Sequence, residues 1–158
     1  MNVDSSFFSH NNNDAYGGVF RDHLCRFVKA FACNLESYSI MQAELWAILK
    51  GLQLAITNGL QNILVESDSL MALSFVREGC PNSHPCASLI EYIRILVSRV
   101  QHIAWRHTLR EANPVADILA KKGQELIHGL HVFDYPTSEI KSALCLDGIG
   151  SFSLTGSG

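Results

Sequence analysis

Apolar and polar positions start to alternate at residue 2 in "NVDSSFF", and residues 2–8 read as a first strand, with the polar tract "SHNNND" following as a loop. The stretches "AYGGVFRD" and "CRFVKAFACNL" read as two more strands, joined by a short turn near His23-Leu24. This makes an antiparallel run at the start of the chain. The period then changes. Met41, Leu45, Ile48, Leu52 and Ala55 recur at spacings of three and four, so one face of a long helix is apolar. Ser39 stands three positions before Gln42, the spacing of a capping box. Asn58-Gly59 supplies the stop.

The branched run "NILVESD" predicts a buried strand. A helix over "SLMALSFVREG" ends at Gly79, "CPNSHPC" is a loop with two prolines, and "ASLIEYIRILVSR" is a further helix. The alternating "VQHIAWRHTL" is a last strand. Asn113-Pro114 opens a helix that runs to about Ile127, with Asn at the cap and Pro in the first turn. The order βββαβααβα describes an α/β protein, a mixed five-stranded sheet covered by helices. The domain is expected over residues 1–130, with a partly flexible tail over 131–158 that ends "GIGSFSLTGSG". The abrupt strand-like start suggests a fragment of a longer polypeptide.

Composition narrows the class. The 158 residues, 47% hydrophobic and 17% charged, fit one folded domain with a real core and exclude a disordered chain. A net charge of −3 excludes a global basic field, so contact with nucleic acid would need local positive charge or a bridging metal. The five cysteines (Cys25, Cys33, Cys80, Cys86 and Cys145) are odd in number and form no C-x-x-C pair. That favours a reducing, intracellular setting, nuclear or cytoplasmic. No apolar run is long enough to span a membrane.

The candidate chemistry lies in the acids. Glu44 stands beside Leu45 at the edge of the apolar stripe, and an acid there is costly unless paired or bound to a cation. Asp68 ends a strand and precedes a helix, so it suits an N-cap or a site at the strand ends, where α/β sites gather. Glu66 projects to the same side as Asp68 in an ideal strand. Asp117 falls in the first turn of the last helix, where the dipole favours an acid. Asp4 sits inside a strand that disfavours it. Each acid alone has a structural explanation. A mixed sheet can bring Asp4, Glu44, Asp68 and Asp117 together, and four carboxylates at one point repel unless divalent cations lie among them. Hard oxygen donors suit Mg²⁺ or Mn²⁺, and a pair of such ions suits phosphodiester cleavage.

The segments "NVDSSF", "GGVFRD", "MQAELWAILKGLQLA", "LVESDS" and "HTLREANPVADILAKKG" resemble, in order, the ribonuclease H-like domain, in its plant reverse-transcriptase-like branch. The resemblance implies a DEDD metal site made of Asp4, Glu44, Asp68 and Asp117, with two Mg²⁺ or Mn²⁺ ions. It implies an endonuclease that hydrolyses the RNA strand of an RNA–DNA hybrid, retroelement-derived and set in a longer polyprotein. It gives His107 a part in proton movement and product release, and Asn113 a part in supporting the site and touching substrate. Ser5 and Cys25 stand where relatives carry glycine. Neither change removes a ligand.

Other features have two readings each. Arg106, Arg110, Lys121 and Lys122 form the nearest cluster of positive charge, set to touch phosphates or to be a solvated face. Gly17 and Gly18 would let a hybrid's minor groove approach, or mark a bulge. His128-x-x-His131 lacks a matching cysteine pair and reads as surface rather than zinc. The alternatives to the nuclease are a weak or inactive module that binds nucleic acid or protein, and an exonuclease or strand-transfer enzyme on the same fold.

Overall fold

The computed structural model describes residues 1–8, 13–24, 26–36, 39–109, 114–125, 129–138 and 140–142. The strands are β1 (Asn2–Phe8), β2 (Asn13–Arg21), β3 (Phe27–Glu36), β4 (Asn62–Ser67), β5 (His102–His107) and β6 (Gly129–Phe133). The helices are α1 (Ile40–Thr57), α2 (Leu70–Glu78), α3 (Ala87–Val97) and α4 (Pro114–Glu125). The strands form one sheet in the order β5-β4-β1-β2-β3-β6. β1 pairs antiparallel with β2 and parallel with β4, and β4 pairs parallel with β5.

The alternation along β2 and β3 splits the core into two layers. Tyr16, Phe20, Phe31 and Cys33 pack with α1, α2 and α3, whereas Val19 and Ala30 pack with Val115 and Leu119 of α4. Successive strand residues point to opposite faces, so a single strand serves both layers. Helices therefore cover both faces of the mixed sheet, as expected. Burial pushes the Tyr16 phenol far up and the Cys33 thiol up, so both stay neutral.

The helix signals are realised locally. Ser39 Oγ accepts from the Gln42 amide at 3.2 Å, and Gln42 Oε1 accepts from the Ser39 amide at 3.0 Å. The expected capping box is present. Gly59, with φ 73°, follows the Asn58 cap of α1.

The expected strand count is corrected. The sheet has six strands, not five, because β6 pairs antiparallel with β3 through Ala30↔Phe133 and Asn34↔Gly129. A boundary at residue 130 would cut through this strand. Lys29 Nζ meets Asp134 at 2.9 Å, and Ile140 is fully buried in the α4 layer. The missed signal has a physical cause. Leu130 and Val132 face outward, each 40% exposed, so β6 lacks the apolar-inward alternation that identifies a strand. His131 accordingly lies in a strand, paired with Ala32.

Candidate metal and nucleic-acid site

The turn from β4 into α2 is held by two serines. Ser67 is fully buried, and its hydroxyl accepts from the Ser69 amide at 3.1 Å. Ser69 Oγ accepts from the Ala72 amide at 3.2 Å and caps α2. Capping is thus done by Ser69, and the carboxylate reading of that cap at Asp68 is replaced. A small hydroxyl residue directly before the apolar pair Leu70-Met71 is the sequence signal that could have shown it. β5 is locked at the same level, since the Thr108 amide donates to Ser67 O at 2.9 Å and His107 Nε2 lies 3.1 Å from Asp68 O. A carbonyl oxygen only accepts, so Nε2 carries the proton in that contact.

The parallel ladder between β1 and β4 pairs Asn2 with Glu66 and Val3 with Ser67. The next residue on each chain is Asp4 and Asp68 respectively. Across the other edge of β1, Asp4 is paired with Gly17. α1 packs on β1 and β2, and α4 lies across β1, β2 and β3. Glu44, in the second turn of α1, is only 6% exposed, unusual for an acid without a strong local reason. Asp117 lies in the first turn of α4. Asp4 and Asp117 are described here by their backbone alone. Among the described residues, no three acid, histidine or cysteine side chains form a ligand group. The described carboxylates of the expected quartet are those of Glu44 and Asp68, and all four residues sit on elements that meet at β1.

The expected substrate contacts divide. Gly17 is buried beneath α4: a Cβ added there would lie 2.7 Å from the Leu119 backbone and 2.8 Å from the Ala120 amide nitrogen. Gly17 therefore makes room for a helix and not for a minor groove. Gly18 is also buried, and the register irregularity lies at Phe20/Arg21 rather than at the two glycines. Ala15, Ala30 and Ala32 are likewise fully buried, and small strand residues bring α4 close to the sheet. Arg106 reaches Glu66 with both Nη2 (2.8 Å) and Nε (3.2 Å) on one carboxylate oxygen. Its charge is engaged by an acid that the sequence had left without a role. Asn113 and Arg110 lie outside the described residues, as does the Cys25 turn position. No described helix is long and apolar enough to cross a membrane.

Comparison with known proteins bears on this arrangement. The family described as "Reverse transcriptase-like" matches residues 2–123. An Arabidopsis thaliana protein named "putative ribonuclease H protein" is 30% identical over 151 residues, covering 96% of this chain and 24% of its own. The chain thus spans about a quarter of that relative. Among solved structures, RNase H1 of the halophilic archaeon Halobacterium salinarum superposes with a TM-score of 0.73 at 20% identity, covering 78% of this chain and 95% of its own. The N-terminal RNase H domain of a Mycobacterium tuberculosis protein gives 0.72 at 20% identity, covering 78% and 90%. LC11-RNase H1 in complex with an RNA/DNA hybrid gives 0.70 at 15% identity, covering 78% and 94%. The long family match, over a fold shared with these structures, means that the chain belongs to the reverse transcriptase-like family and carries a ribonuclease H-like domain.

Proposed function

We propose that this domain is a divalent-metal-dependent endonuclease that hydrolyses the RNA strand of RNA–DNA hybrids, and that it derives from a plant retroelement. The observation that carries the reading is the end of the β1–β4 ladder. Asp4 and Asp68 follow its last pair on adjacent strands, and the His107 ring rests on the Asp68 carbonyl. The RNA/DNA hybrid bound by the LC11 relative supports the substrate class.

The residues fit a hard cation. Asp4, Glu44, Asp68 and Asp117 offer oxygen donors only, which suit Mg²⁺ or Mn²⁺, and a cation beside the nearly buried Glu44 would stabilise its charge. These four residues would hold two ions, which when bound would supply electrostatic stabilisation of the charge that builds on the phosphate oxygens. The chain's own contribution is positional. The two serines fix the Asp68 turn, and α1 and α4 carry Glu44 and Asp117 to opposite sides of β1. His107 donates from Nε2 to Asp68 O, which leaves Nδ1 to take and release a proton next to the cleaved strand.

The test is cleavage of a hybrid labelled on its RNA strand, with Mn²⁺, by wild type, Asp68→Asn and Glu44→Gln. The expected result is cutting by wild type and loss in both variants, with circular dichroism unchanged. Equal cutting by all three would remove the site. Tight hybrid binding by wild type without any turnover would make the domain a binding module instead.

A further inference from the structure

A second cleft lies at the β5 edge of the sheet, between α2, α3 and β5. Its volume is about 390 Å³, and Val76, Arg77, Arg94, Val97, Ser98 and Trp105 line it. We infer that this cleft is a binding site for a phosphodiester group of a nucleic-acid strand that runs on from the carboxylate site. The inference rests on the proposed nucleic-acid substrate and adds a second point of grip on it.

Two arginines are gathered in a cleft whose described lining contains no acid. Ion pairs among the described residues include Asp22–Arg26, Lys29–Asp134 and Glu66–Arg106. Neither Arg77 nor Arg94 takes part in one. Arg77 Nη2 donates to the Trp105 carbonyl at 2.6 Å, which fixes the guanidinium over the cleft and leaves its other N–H groups for a ligand. Arg94 reaches the same place beside Gly79, where α2 ends with φ 87°. A side chain starting there would stand 3.0 Å from Arg94 Nη1. A cation carried by α3 thus lies at the end of α2. Two like charges held at one cleft, in a chain of net charge −3, are favourable when an anion joins them, and paired guanidinium forks match phosphate.

The floor and the position choose the anion. Val76 is buried at 4% exposure, and Trp105 and Val97 complete an apolar base, which suits the ribose or base attached to a phosphate. β5 connects the cleft to the carboxylate site, since Trp105 stands two residues before His107, or ~7 Å of strand. From the Ser69 cap to Arg77, α2 covers roughly 12 Å. A duplex strand carries a charge about every 3.4 Å along its axis, so this separation is a few nucleotides of flanking strand. An acidic peptide would also meet the arginines, but nothing would tie it to the carboxylate site.

The test uses the full chain in EDTA, so that no strand is cut. The affinity of a labelled RNA–DNA hybrid is measured over a series of salt concentrations for wild type, Arg77→Gln/Arg94→Gln, Arg77→Lys/Arg94→Lys and the distant control Lys141→Gln, with near-ultraviolet circular dichroism to check the fold. For the double glutamine variant, binding should weaken about tenfold at low salt, and the slope of log affinity against log salt should fall by about 1.5–2. The lysine variant should recover the slope, and Lys141→Gln should leave affinity and slope unchanged. An unchanged slope in the glutamine variant, an equal change in the control, or no wild-type binding at all would overturn the assignment. So would a labelled polyglutamate peptide that binds wild type as tightly as the hybrid does and is lost in the glutamine variant, which would give the cleft to an acidic protein. Failure of the catalytic reading shows elsewhere, in unchanged cleavage by Asp68→Asn, and does not enter this binding measurement.

Discussion

His107 Nε2 lies 3.1 Å from the carbonyl oxygen of Asp68, so the end of β5 and the turn after β4 are tied by a side chain as well as by the ladder. The ring is otherwise exposed. Its role can therefore be removed without opening the core. His107→Ala is expected to lower kcat of hybrid cleavage by roughly 10²-fold, the lower range for loss of a general acid–base group, with KM and melting temperature little changed. A fall in KM-derived binding with kcat intact would assign the ring to substrate contact instead.

The turn that carries Asp68 separates stability from chemistry. Ser69 caps α2 while Asp68 does not. Ser69→Ala should cost about 1 kcal/mol of folding stability by loss of the cap. Asp68→Asn should leave denaturant midpoints near wild type while abolishing cleavage. Chemical denaturation of the two variants side by side checks this, and the reverse ranking would return the capping role to the carboxylate.

Gly17 sets the distance between α4 and the sheet. Gly17→Ala would drive a methyl group to within 2.7 Å of the Leu119 backbone, where the neighbour cannot yield as a flexible side chain can. The expected destabilisation is about 1–3 kcal/mol, as for other overpacked sites, together with a loss of cleavage, because α4 carries Asp117. Thermal melts and single-turnover cleavage check both parts. Gly18→Ala is the natural comparison.

After α4, β6 and Ile140 belong to the fold. Ile140 is fully buried against Val19, Ala30, Val115 and Leu119, and Ile140→Ala should cost about 2–4 kcal/mol. Truncation after residue 128 should cost more, since it also removes β6 and the Lys29–Asp134 contact. Urea unfolding of the three proteins measures the difference. A truncated domain as stable as the full chain would make the tail dispensable.

The β2–β3 turn should show pH dependence. Asp22 accepts from the Leu24 and Arg26 amides and from Arg26 Nε, each at 2.9 Å. The Arg26 amide, first among these contacts, holds the carboxyl below its usual value. A carboxyl lowered in the folded state stabilises above the unfolded value, about pH 3.9, and that contribution is lost as pH falls through the folded value. The gap in melting temperature between wild type and Asp22→Ala should accordingly be present at pH 6 and should shrink below about pH 4.

The legible parts of the chain were those where one local pattern decides the answer. The capping box at Ser39 and Gln42, the Asn58-Gly59 stop and the stripe of α1 all follow from spacing, and the structure realises each. β6 was hidden because its apolar residues face outward, and its place is decided by pairing with β3, a contact nearly a hundred residues away in sequence. Gly17 was misread for a related reason. A glycine pair signals that something comes close, but only the packing shows that the neighbour is a helix. Arg106 looked available to phosphate until Glu66 was found opposite it on β4. The proposed site was read from the sequence as a list of acids. What brings its elements together is the parallel register of β1 with β4, which no local pattern contains.

Direct contact between the Leu119 backbone and the glycine paired with Asp4 also bears on how the proposed centre would tolerate change. Where helix and sheet touch without an intervening side chain, the spacing between their acidic residues is set by atomic radii and cannot drift with neighbouring loops. Insertions in the connecting segments would then alter what the enzyme recognises while the reactive geometry stays the same.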